Sequence, residues 1–283
     1  GDTTATRTPM HAHLTAVKAD DRVLPATRAV AVGIFPFLVA GFVILYVFPD
    51  RTTQLFAWTI APTMTSMVLA SAYGGGAYFF ARVFRENRWH TVKAGFPAVA
   101  LFATVLGVAT VVHWDRFNHP HPAFWIWATL YLVAPFIVAG VWLANRLSEA
   151  EPTDDAARLD RWARVSVATV GVLALGLGLV MEMAPSTLIP FWPWSLTPLT
   201  CRVLGAVFCL GLAGLAVLFD DRSLTVARLV EVQLVMTLLA AAAAVRAHDQ
   251  LDSSRPLTWV MLAGMGVLLL GGGLLYRQTR SLG

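Results

Sequence analysis

Eight long apolar runs, near residues 29–48, 62–82, 94–113, 122–145, 164–183, 198–219, 226–246 and 257–276, set the limits on what this chain can fold into. Each is long enough to cross the roughly 30 Å hydrocarbon layer of a bilayer as a helix. Backbone N–H and C=O groups in lipid must be paired internally, and these runs are continuous rather than alternating, which selects helices over a β-barrel. With 13% charged residues against 57% hydrophobic ones, the chain has too few charges for an ordinary water-facing surface. The reading is an all-α, polytopic integral membrane protein of eight transmembrane helices.

The sequence also repeats itself. Pro49, Phe56, Trp58, Pro62, Ala70 and Gly75 align without a gap on Pro185, Trp192, Trp194, Pro198, Ala206 and Gly211, five identities and one aromatic exchange at an offset of 136 residues. The expected organisation is a polar cytoplasmic arm over 1–28, a first four-helix repeat over 29–146, a linker over 147–163 with a short helical turn after Asp154, and a second repeat over 164–283. Four helices per unit bring both copies in from the same side, so the repeats should be parallel. Gly74, Gly75 and Gly76, and Gly271, Gly272 and Gly273, would let helices approach closely.

Lys and Arg set the orientation. With the N-terminus inside, sixteen fall on inner segments and only Arg51, Arg116, Arg202, Arg246 and Arg255 on outer ones. That bias places both termini in the cytoplasm. The net charge of +4 is thereby spent on topology and needs no nucleic acid to explain it. Residues 1–28 hold no apolar stretch of signal-peptide length. Two Lys against nineteen Arg, with abundant Ala, Leu, Val and Gly, suggest a bacterial origin and hence the bacterial plasma (inner) membrane. Cys201 and Cys209 lie about 12 Å apart along one helix, too far to bridge, and no cysteine spacing suits a metal.

Two thirteen-residue connectors, Pro49 to Ala61 and Pro185 to Thr197, are too short to span and should lie in the outer interface. They carry Trp58, Trp192 and Trp194, and seven of the ten tryptophans map to that side. These residues are read as interface anchors or as the wall of a site for a lipid, a quinone or another apolar ligand. Glu182 and Arg202 flank the same connector and should approach each other, either to hold it down or to bind. Charges near the bilayer centre are otherwise sparse, which weighs against an ion-coupled pump.

The loop from His113 to Pro122 gathers His113, Asp115, His119 and His121, ligand types suited to zinc, copper or iron, though at no defined spacing. His113 and His248 each end an outward-going helix at matching points of the repeat. They should therefore meet on a haem iron or quinone, or else merely cap their helices. No phosphate loop, nucleophile motif or dinucleotide fingerprint is present. The leading function is non-enzymatic: holding an apolar or amphipathic ligand, or a partner subunit or second copy, through an aromatic outer face in the lipid bilayer. The alternatives are a secondary transporter of a small molecule and a haem- or quinone-binding redox subunit.

Overall fold

A computed structural model describes residues 20–151 and 156–282. Among the described residues every regular element is helical, and eight of the helices are long. They are α1 (Pro25–Phe42, continued by a wider π turn to Val47), α2 (Thr63–Arg85), α3 (Gly95–Val112), α4 (Pro122–Leu147), α5 (Arg161–Met183), α6 (Pro198–Cys209), α7 (Ser223–Arg246) and α8 (Pro256–Ser281). Most of the N-terminal arm, residues 1–19, and residues 152–155 of the linker lie outside the described residues. After Ala156 the linker is not helical, contrary to the expected turn. Its backbone pairs instead with the segment before α7, Leu159 N donating to Asp221 O and Ser223 N to Ala157 O.

Seven of these helices are long and apolar enough to cross a membrane, with α6 counted through its continuation to Leu218. The helix outside that set is α2, and its contacts explain why. It packs against α1 on one side and α7 on another, and fourteen of its residues are buried. Its polar side chains meet protein rather than lipid: Ser66 Oγ donates to Leu45 O, Thr65 Oγ1 accepts from Trp194 Nε1, and the Tyr73 and Tyr131 hydroxyls pair at 2.6 Å. Gln250, from the turn after α7, serves the first turn of α2 by accepting from Met64 N and donating to Thr63 Oγ1. A helix whose hydroxyls are satisfied inside the bundle has no need of an apolar surface all round.

Consecutive helices pair as α1 with α2, α3 with α4, α5 with α6 and α7 with α8, while α2 packs on α7 and α3 on α6 across the two halves. Alternation of direction collects the connectors at two ends. At the aromatic end, Asn118 N donates to Ala57 O and Asp252 N to Pro193 O. At the basic end, Val23 N donates to Asn87 O, Trp89 N to Asp21 O and Ala150 N to Asp20 O.

Helices α5 and α6 approach closely, backbone against backbone. A Cβ on Gly178 would sit 2.6 Å from Gly205 O and 2.8 Å from Cys209 N, and one on Gly171 would sit 2.7 Å from Gly211 O. Beyond Cys209 the helix tightens: Leu210, Gly211, Ala213 and Gly214 each donate three residues back rather than four. Of the two glycine triplets, Gly74, Gly75 and Gly76 are packed against α7 and α1, whereas at Gly271 and Gly273 a side chain would meet open space. The second triplet therefore serves close packing only through Gly272, which faces Gln233 and Leu234.

Ion pairs concentrate at the basic end. Glu231, 9% exposed, is held by Arg228 at 2.7 Å, Arg82 at 3.4 Å and the Tyr78 hydroxyl at 2.7 Å. Arg222 clasps Asp220 with two hydrogen bonds, at 2.9 and 2.6 Å, and Lys93 adds a third contact at 3.2 Å. Burial alone would raise the Asp220 carboxyl, but the Arg222 hydrogen bonds and the Lys93 charge outweigh it and hold the pKa at about 2.

Candidate functional site

The most distinctive polar grouping at the aromatic end joins Arg202, Glu182 and His113, from three helix termini. Thr197 begins α6 with a complete capping box, its side chain accepting from Thr200 N while Thr200 Oγ1 accepts from Thr197 N. Pro198 at the first helical position needs no hydrogen-bond partner for its nitrogen. This start sets Arg202 one turn into α6, and the glycine contact at Gly178 and Gly205 brings it against the end of α5. There Arg202 Nε donates to the carbonyl of Glu182 at 3.1 Å. A guanidinium among the last carbonyls of a helix meets the negative end of its dipole.

The sequence pointed to contact between Glu182 and Arg202, and contact occurs, but through the Glu182 backbone rather than its carboxylate. The carboxyl turns toward α6, where a Cβ on Gly205 would lie 2.8 Å from Oε1. That oxygen is buried and has no hydrogen-bond partner.

Arg202 spends Nη1 on His113 Nε2, 2.7 Å away. Since guanidinium can only donate, this nitrogen must be the unprotonated one, and His113 is a neutral imidazole with its proton on Nδ1. Burial first, then the charges of Arg202 and Arg116, push its pKa below the ordinary 6.5. His113 also ends α3, its N–H bonded to Ala109 O. Its proximity to Arg202, 89 residues away, carried no signal in spacing or motif.

His119, His121 and His248 are separate from this grouping. His121 caps α4: its Nδ1 accepts from Ala123 N at 3.0 Å, which leaves Nε2–H facing Gln54 O at 2.8 Å, so both ring nitrogens are engaged. His119 packs against Trp114 and Phe124, with ring centroids 5.2 and 4.7 Å apart, and its Nε2 is buried without a partner. Asp115 is exposed in the short turn after α3. His248 is exposed and its Nδ1 lies 3.1 Å from Val245 O in its own helix, the geometry of a local cap. Among the described residues no three His, Cys, Asp or Glu side chains assemble as a metal site.

The connector tryptophans face into the protein. Trp58, Trp192 and Trp194 are 3%, 4% and 2% exposed. Trp58 meets Phe117 at 5.0 Å and Trp127 at 4.9 Å, tying the first connector to the loop before α4 and to α4 itself. Trp192 packs on Trp194 at 5.6 Å, and Trp194 Nε1 donates to Thr65 Oγ1 at 2.8 Å. Aromatic rings of this kind hold each connector down by about 0.5–1.5 kcal/mol per pair. The aromatic groups left facing outward at this end are Phe48, Trp114, Trp125, Phe191 and Trp259. Architecture and chemistry must carry the functional reading, because no protein-family model, curated protein or solved structure matches the chain.

Proposed function

We propose that this is an eight-span protein of the bacterial inner membrane, two parallel four-helix repeats over 29–146 and 164–283 joined by a linker over 147–163, with both termini cytoplasmic. Its work is to hold an amphipathic ligand, or a partner subunit or second copy, at the outward-facing aromatic end. The duplication is supported by the element bounds: α1 and α5 are offset by 136 residues, and α4 and α8 by 134. In addition, Trp125 Nε1 and Trp259 Nε1 each donate to the carbonyl six residues earlier, that of His119 and of Ser253. The orientation rests on the Lys and Arg bias.

One observation carries the ligand reading: the buried, unpartnered Glu182 Oε1 beside Arg202. A buried oxygen without a hydrogen bond costs about 1–3 kcal/mol. A headgroup that accepts from Arg202 and donates to Glu182, once the carboxyl turns out from Gly205, recovers that cost, while the exposed Trp114, Trp125, Phe191 and Trp259 at the same end offer apolar surface to its body. The protein purified in mild detergent should then retain an amphipathic molecule detectable by mass spectrometry of extracts, and Glu182→Gln or Arg202→Met should lose it at unchanged folded yield. Equal retention by folded variants refutes the site. An absorption spectrum of the same preparation tests the haem reading, with loss of any haem band in His113→Ala as its requirement.

A secondary transporter is the second reading, and the observation in its favour is the interruption of α6 at Cys209, since transporter sites are commonly built where a spanning helix is broken.

A further inference from the structure

At the opposite, basic end a cavity of about 610 Å³ lies between the start of α3, the end of α4 and the tightened segment that follows α6. That volume falls within the roughly 300–1,000 Å³ of sites that take small ligands. One wall is apolar, made by Leu212, Leu215, Ala216 and Phe219. Phe219 is 91% exposed, and Leu147 on α4 is 80% exposed, so apolar side chains flank this end of the bundle where it meets its surroundings.

The charges sort themselves by position. Lys93 Nζ sits between Glu149 Oε1 and Asp220 Oδ2, 2.5 and 3.2 Å away, and Arg222 clasps Asp220 in turn. Two cations and two carboxylates there balance one another. The lining also includes Arg146 and Glu151, both exposed. Arg146 lies over the face of Trp142, 5.1 Å from the ring centroid, a placement suited to the membrane interface.

From this arrangement we propose a lateral site for a zwitterionic phospholipid bearing a primary ammonium, with its phosphate on Arg146, its ammonium on Glu151 and its chains along Leu212, Leu215 and Phe219. The phosphate of phosphatidylglycerol would satisfy Arg146, but its neutral glycerol brings no cation to Glu151 and leaves the phosphate charge beside that carboxylate uncompensated. A choline headgroup has no N–H to donate to a carboxylate, whereas an ammonium has three. This site is independent of the one at the aromatic end, and either can fail without the other.

The test is native mass spectrometry of the full chain, delipidated in mild detergent and mixed with equimolar dioleoyl phosphatidylethanolamine, phosphatidylglycerol and phosphatidylcholine. The ethanolamine lipid should dominate the adducts. Arg146→Gln should weaken it about fivefold, the factor one basic residue contributes at a membrane surface. Glu151→Lys should reverse the preference toward phosphatidylglycerol. Both residues are exposed, and an unchanged melting profile establishes that each variant is folded. Equal adducts for the three lipids, a wild-type preference for phosphatidylglycerol, or an ethanolamine preference that survives both substitutions overturns the proposal.

Discussion

Replacing Gly178 by alanine tests the packing account at its tightest point. The added methyl would lie 2.6 Å from Gly205 O, 2.8 Å from Cys209 N and 2.9 Å from Cys209 Sγ, so two of the three obstacles are backbone and cannot rotate away. Restoring ordinary contact requires α5 and α6 to part by roughly 0.8 Å along a seam packed like a crystal. Overpacking of this kind costs about 1–3 kcal/mol. Against it stands the intrinsic helix gain of Gly to Ala, about 1 kcal/mol. The net effect is a loss of about 0–2 kcal/mol at Gly178, whereas Gly176, with nothing within 4 Å of the new methyl, should gain up to about 1 kcal/mol. The two variants differ by two positions on one helix and by opposite signs of effect. Unfolding in mixed micelles by added SDS, followed by tryptophan fluorescence, reads both. Gly178→Ala at least as stable as Gly176→Ala would refute the close approach of α5 to α6.

Other substitutions address the polar contacts. The His113 pKa is lowered in the folded protein, by burial first and then by Arg202 and Arg116, so the neutral ring contributes stability present above about pH 6.5 and lost as pH falls through the folded value. Wild type should therefore lose stability on acidification to about pH 5 that His113→Gln does not lose, and superimposable pH profiles would contradict this. His121→Ala removes the α4 cap and should cost about 0.5–2 kcal/mol without changing metal content, whereas loss of a stoichiometric metal would show the cap reading to be wrong. Asp220→Asn leaves Arg222 and Lys93 short of a carboxylate at a nearly buried position and should cost about 3 kcal/mol. A loss below about 1 kcal/mol would mean that this ion cluster adds little.

What was legible in the sequence was whatever leaves a local trace. Apolar runs in a chain with few charges mark helices directly, and seven of the eight helices follow their runs closely, whereas the regular part of α6 stops at Cys209, ten residues before its run ends, and continues to Leu218 only as short, tighter turns. Pro198, where the sixth apolar run begins, is the first residue of α6, and the Thr197 cap that fixes this start is confined to four residues. The aromatic end was harder. Tryptophans at interface level read as interface anchors, but Trp58 and Trp194 are turned inward by partners far along the chain, Phe117, Trp127 and Thr65. Arg202 with His113, and Lys93 with Asp220, likewise depend on which helices become neighbours, α3 beside α6, and no spacing encodes that. The pairing of His113 with His248 was drawn from aligned sequence, yet their surroundings differ: one meets an arginine of another helix, the other a carbonyl of its own.

The central claim is a bundle whose ends face opposite compartments, with α2 crossing the membrane although its polar surface is spent on protein contacts. Single cysteines at Arg51, in the connector before α2, and at Arg85, the last residue of α2, both exposed, test it directly in intact cells and in inverted vesicles. The native Cys201 and Cys209 are buried and should give little background. With an impermeant thiol reagent, Arg51→Cys should label from outside, as should Ser253→Cys, and Arg85→Cys and Arg158→Cys only from the cytoplasmic side. Labelling of positions 51 and 85 from the same side would show that α2 does not cross, leave seven spans, and contradict both the parallel duplication and the outward placement of the Glu182 and Arg202 site.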